Sequence, residues 1–138
     1  MFDLYGTEKL SEWKKFRDHL ETSETPMEDL AEFWSRAPFV GHYLDPNNPS
    51  AWPDPWALIL DGKFDDLAIS LGMLYTIKLT QRFKDADCKI FMTAGSNNKT
   101  FLLVDNSSIL NWEYRSVCRQ KDLIDVSFKL IWSKTDSV

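Results

Sequence analysis

Leu10, Trp13, Phe16, Arg17 and Leu20 recur at three- and four-residue spacings from Glu8 to Leu20, which predicts a helix with an apolar stripe on one side. Thr7 is its expected N-cap. After the polar break Glu21-Thr22-Ser23-Glu24, Thr25-Pro26-Met27-Glu28 supplies a cap, a proline at the first helical position and a capping-box glutamate. A second helix is predicted from there to about Ser35, burying Leu30, Phe33 and Trp34. The strongest pattern runs from Asp65 to Phe83, where Leu67, Ala68, Leu71, Leu74, Tyr75, Leu79 and Phe83 keep helical period and Ile69, Met73 and Ile77 widen the apolar sector. This is the expected central helix. Gly72 within it lowers helix propensity by about 1 kcal/mol relative to alanine, so close approach by a neighbouring element is expected there.

The rest of the chain reads as β. Lys89–Thr93 and Thr100–Asp105 flank the turn-rich Ala94-Gly95-Ser96-Asn97-Asn98-Lys99, a hairpin signature, and Ile109–Tyr114 extends the sheet. Asp125–Ser133 alternates, with Val126, Phe128, Leu130 and Trp132 on one face and Ser127, Lys129 and Ile131 on the other. Helices first and an antiparallel sheet afterwards make an α+β fold. At 138 residues one domain is expected. It divides into a helical part over 1–37, a Trp/Pro-rich segment over 38–56, and the central helix with the sheet over 57–138.

That middle segment is read as loop, because Pro46, Pro49, Pro53 and Pro55 remove backbone donors and hold their predecessors extended. Phe39, Tyr43, Trp52 and Trp56 within it either pin the loop to the core or form an exposed patch for protein contact, since Trp and Tyr are favoured at interfaces.

Composition narrows the functions. A formal charge of −5 with scattered basic residues argues against a grip on nucleic acid. Lys14, Lys15 and Arg17 lie among acids on what reads as a solvated helix face. No stretch approaches the roughly 20 apolar residues of a membrane span, and Met1–Tyr5 lacks a basic opening and apolar run, so a cytosolic origin is expected. Cys88 and Cys118 with His19 and His42 form no metal-ligand spacing, so neither metal nor cofactor is expected, and both histidines are placed at the surface.

The segment Trp52-Pro53-Asp54-Pro55-Trp56 leading to Gly62-Lys63-Phe64-Asp65-Asp66-Leu67-Ala68 resembles the bacterial transglutaminase-like cysteine peptidases. In that family a Trp/Pro-rich loop precedes Gly-Asp-Cys-Asp-Asp-x-Ala, and the cysteine opens the central helix, whose N-terminus favours thiolate and can hold an oxyanion. Phe101-Leu102-Leu103-Val104-Asp105-Asn106 resembles its second strand, making Asp105 the counterpart of the triad acid and placing the histidine position near Cys88 or Lys89. The likeness spans Trp52 to Tyr114. Phe64 stands where the thiol should be and no histidine stands at its position, so the resemblance implies a degenerate, noncatalytic site at Phe64, Asp65, Asp66, Cys88 and Asp105. Cys88, with no histidine near in sequence, reads as a small buried hydrophobe. Asp65 and Asp66 read as capping residues, since neighbours on a helix point in different directions.

The expected role is a structural or adaptor protein with protein partners, most concretely a tailed-bacteriophage virion component at the neck, tail or baseplate. Its expected place is the virion or the host cytoplasm. Two alternatives stand beside it. One is a small acidic regulatory binder that sequesters a host protein. The other is an enzyme of unrelated chemistry built on Asp65, Asp66, Asp105 and His42, which requires those side chains to share one pocket.

Overall fold

The computed structural model describes residues 1–41, 43–93, 99–119 and 127–133. Its elements are α1 (Gly6–Leu20), α2 (Pro26–Trp34), a short 3-10 turn at Pro49–Ala51, α3 (Pro55–Asp61), α4 (Asp66–Lys78), and β1 (Cys88–Thr93), β2 (Thr100–Val104), β3 (Ser108–Leu110), β4 (Val117–Arg119) and β5 (Phe128–Ser133). The strands form one antiparallel sheet in the order β4-β3-β2-β1-β5. Helices precede the sheet and pack on it, an α+β fold.

α4 is the centre of the molecule. Leu67, Ala68, Leu71, Met73, Leu74 and Ile77 are all buried, and the helix lies between α2 and α3 on one side and β1 and β2 on the other. Cys88, Ile90, Leu102, Val104 and Leu110 face it from the sheet. The reason for Gly72 is direct: a Cβ there would lie 2.2 Å from Cη2 of Trp34, so only glycine lets that indole rest on the helix backbone. The same ring is fixed at its polar end. The Thr76 hydroxyl accepts from Nε1 of both Trp13 (3.0 Å) and Trp34 (3.1 Å) and donates to the Gly72 carbonyl (2.7 Å), which saturates its one donor and two lone pairs.

Several boundaries differ from the sequence reading. α1 begins at Gly6, so Thr7 is inside the helix and Tyr5 is the cap, without a side-chain bond. At α2 the Thr25 hydroxyl donates to Asp29 rather than capping the backbone, so Asp29, not Glu28, answers the cap residue. α4 stops at Lys78, five residues short of Phe83, because the Thr80 hydroxyl takes the Ile77 carbonyl and Glu21 takes the N–H groups of Gln81 and Arg82. The segment expected to be all loop holds the 3-10 turn and ends in the first residues of α3, a helix the sequence reading did not give, started by Pro55 and capped by Asp54, whose carboxylate accepts from the Ala57 N–H at 2.8 Å. β3 covers only part of 109–114, and β4 follows it.

The alternation of the last strand is also broken. Ile90 pairs with Trp132 but Phe91 pairs with Leu130, so Ile131 is the extra residue of a bulge. Trp132 therefore shares the α4 side with Ile90, while Leu130 and Phe128 pass to the opposite face with Phe91. That face carries a smaller cluster of Phe101, Leu103, Ile109 and Cys118. Position 126 lies outside the described residues. Arg17 departs from the solvated face expected for it: Lys14 and Lys15 pair with Asp18 and Glu12 in solvent, but the Arg17 guanidinium turns onto the rings of Trp13 (4.7 Å) and Trp56 (5.6 Å).

Candidate functional site

The residues that open α4 are held by ordinary helix chemistry. Asp65 is the N-cap: one oxygen accepts from the Ala68 N–H, the other from the N–H groups of Tyr43 and Leu44, all within 2.9 Å. It thus fixes the helix start and the preceding loop together. Phe64, one position earlier, is fully buried, meeting Phe2 and Trp34 edge-on at 5.6 and 5.3 Å. Its carbonyl accepts from the Val40 N–H at 2.9 Å in a bridge that pairs Phe39 with Phe64. A side chain at position 64 points into the core.

Asp66 turns the other way. Its Oδ2 accepts from the Thr100 N–H (2.6 Å) and hydroxyl (3.0 Å), and Nδ2 of Asn111 reaches its carbonyl (3.0 Å) and the hydroxyl of Ser70 (2.9 Å). Ser70 and Thr100 close the ring at 3.0 Å. Burial pushes the Asp66 carboxyl above its ordinary range, against the bonds from Thr100 and the charge of Lys99 that favour ionisation. The network ties the helix start to β2 and to Asn111, which sits at φ +67°.

Above this network lies a groove of about 260 Å³, lined at its base by Trp34, Ile69, Met73 and Asp66 and at its rim by Phe39, Lys99, Glu113, Tyr114 and Arg115. Phe39 is 64% exposed and Tyr114 76% exposed. The Tyr114 hydroxyl donates to the Ser35 carbonyl (3.3 Å), strapping the segment after β3 across the end of α2.

The remaining residues singled out in the sequence lie elsewhere. Cys88 and Asp105 are at the C-terminal end of α4, where Lys78 donates to the Ala86 carbonyl, and α4 spans about 18 Å from end to end at 1.5 Å per residue. Asp105 and Asn106, at φ +52° and +57°, form the hairpin turn between β2 and β3, and the Asp105 carboxylate accepts from the Asp87 N–H. Burial drives the Cys88 thiol up to about 11. Phe64, Asp65 and Asp66 are therefore neighbours, but the fold does not bring Cys88 or Asp105 to them. Among the described residues Asp66 lines the groove, Asp65 is spent on backbone N–H groups and Asp105 sits in the turn at the other end of α4, so the three do not converge, and His42 lies outside the described residues. His19 is exposed and meets Asp29 at 2.8 Å.

Of the loop aromatics, Tyr43 and Trp52 pin the segment: the Tyr43 hydroxyl donates to Asp61 (2.9 Å) and the Trp52 indole to the Asp45 carbonyl (2.8 Å). Phe39 and Trp56 are exposed but apart in their contacts, Phe39 on the groove and Trp56 edge-on to Trp13 at 5.6 Å. Lys99, Asn111, Tyr114 and Arg115 of the groove carried no signal in the sequence beyond an asparagine after a short apolar run. Among the described residues no group of three or more His, Cys, Asp or Glu is placed to hold a metal, and no helix is long and apolar enough to cross a membrane. Compared with protein-family models, with curated proteins and with solved structures, the chain matches none.

Proposed function

We propose that this chain is a noncatalytic binding domain of structural or adaptor type, whose groove at the start of α4 receives part of a protein partner. The observation that carries this reading is the pair of exposed aromatics, Phe39 and Tyr114, on the rim of one cleft. Aromatic side chains lose little conformational entropy on binding and are common interface anchors. The chemistry around them supports binding rather than bond breaking. Phe64 is packed into the core, both Asp65 oxygens are taken by backbone N–H groups, and Asp66 is committed to Thr100 and Asn111. Replacing Phe39 and Tyr114 by serine removes the partner from material captured on the tagged chain while the fold survives. Retention of the same partner by that double variant contradicts the reading.

The concrete setting we propose is a tailed-bacteriophage particle, on the strength of the sequence resemblance and of six tryptophans in so short a chain. Quantitative mass spectrometry of purified particles from the source tests it: the chain is expected at the copy number of a structural subunit, and its absence from them removes the virion setting.

A further inference from the structure

Trp34 and Met73 form the floor of the groove, yet they are only 0% and 3% exposed. An occupant can rest on them only if one wall moves. The Phe39 wall is fixed, because its bridge to Phe64 and the 2.9 Å bond from the Val40 N–H to the Phe64 carbonyl tie it to a fully buried residue at the start of α4. The opposite wall is the connection 111–116 between β3 and β4, and its two halves are held differently. Asn111 is built into the Asp66 network, and Trp112 packs edge-on to Phe101 at 5.6 Å. From Glu113 to Ser116 the chain bonds to itself, the Ser116 N–H and hydroxyl donating to the carbonyls of Glu113 and Tyr114, each at 3.3 Å. Among the described residues two polar contacts tie this turn to α2: the Tyr114 hydroxyl on the Ser35 carbonyl (3.3 Å) and Nη2 of Arg115 on Oε1 of Glu32 (3.4 Å). Both are long and exposed, and contacts of that kind contribute little. Arg36 sits on the same Glu32 oxygen at 3.3 Å, so release of Arg115 leaves that carboxylate paired. Release also relieves Arg115 itself, which at φ +61° holds a left-handed backbone that its side chain disfavours.

We infer that Glu113–Ser116 is a strap that swings off α2 to open the floor of the groove to the partner. Tyr114 and Arg115 are its latches, and Asn111 with Trp112 is its fixed end. The inference rests on the binding reading above and adds how that site is controlled: the latched strap keeps Trp34 and Met73 from solvent, and the partner's apparent affinity is reduced by the fraction of chains in which the strap is closed.

The test reads opening without any partner. Met73→Cys in the full chain puts a thiol on the floor, and its labelling by N-ethylmaleimide is followed by peptide mass spectrometry beside that of the native, buried Cys88, which reports unfolding of the whole domain. The thiol at position 73 is expected to react about 10-fold faster than Cys88, through local opening. Tyr114→Phe, which loses only the latching hydroxyl, and Glu32→Gln are each expected to speed it about 3-fold and together about 10-fold, with the Cys88 rate unchanged. Should Met73→Cys fail to fold, Ala31→Cys places the thiol in the same groove from α2. Equal rates at position 73 and Cys88 overturn the strap, as do latch substitutions that leave position 73 unchanged or speed both sites alike. Capture of the partner is expected to be faster on Glu32→Gln than on wild type, and an unchanged capture rate overturns the strap's control of entry. The groove reading is judged separately, by capture on the Phe39 and Tyr114 serine variant, so it stands if the strap fails.

Discussion

The two ends of α4 use the same residue types for different ends. At its C-terminal end Asp105 and Asn106 sit at positive φ, Cys88 is buried, and every polar group of Asp105 with a stated partner closes the hairpin turn onto Asp87. At its N-terminal end Asn111 and Arg115 also sit at positive φ, and Asp66 is also hydrogen-bonded, but the result is a groove rimmed by exposed aromatics. Positive φ makes a tight turn at one end and the wall of a cleft at the other. A linear motif that joins Phe64–Asp66 to Cys88 and Asp105 merges two regions that the helix holds about 18 Å apart.

The largest effect is expected where the N-terminal end meets the core. Phe64→Ala removes a ring packed between Phe2 and Trp34 and is expected to cost about 3–5 kcal/mol in urea unfolding. Phe64→Cys, which would restore a thiol at the helix start, is expected to leave that thiol slow toward Ellman's reagent in the folded protein, because the position faces the core. Rapid labelling at the native rate of an exposed thiol would make the N-terminal end a reactive site after all.

Asp65→Ala comes next. It removes the cap of α4 and leaves the N–H groups of Tyr43 and Leu44 without their acceptor, at about 2–4 kcal/mol in the same assay. A loss under 1 kcal/mol, as for an exposed cap alone, would show that the loop is not held by this carboxylate.

Asp66 sharpens the comparison through pH. Burial raises its carboxyl, so the folded protein binds the proton more tightly than the unfolded chain does. Its contribution to stability is complete below the unfolded value of about 3.9 and is lost as pH rises through the folded value. Asp66→Asn cannot ionise, so its stability relative to wild type is expected to improve from about pH 4 to neutrality. Asp29 has the opposite sign: the Ser23 hydroxyl, then His19 and Thr25, hold its carboxyl down, and its contribution is lost as pH falls through the folded value. A parallel pH trend for Asp66→Asn and Asp29→Asn would contradict this account.

The smallest effect belongs to the C-terminal end. Asp105→Asn keeps an acceptor for the Asp87 N–H and a residue that tolerates φ +52°, so stability should stay within about 0.5 kcal/mol of wild type.

Much of this fold was legible in the sequence because its periodicity was strong. The apolar run of α4, the Cys88–Val104 hairpin and the contact at Gly72 all follow from spacing and from what glycine permits. α3 was hidden by its own start signal: Asp54-Pro55 is a cap and a first-turn proline, but among three other prolines it reads as loop. The bulge at Ile131 could not be read, since one extra residue moves Phe128 and Leu130 to the other face without altering their alternation. The groove was half visible. Phe39 and Asp66 drew notice in the sequence, whereas Lys99, Asn111, Tyr114 and Arg115 reach the same place only through the β2–β4 half of the sheet.

The most direct measurement places a photo-crosslinking phenylalanine at position 39, on the groove, or at position 79, an exposed leucine at the other end of α4. Each chain is then irradiated in its native extract and the adducts are sequenced. The account predicts a specific partner adduct from position 39 and none from position 79. The same adduct from position 79, with none from position 39, would contradict it.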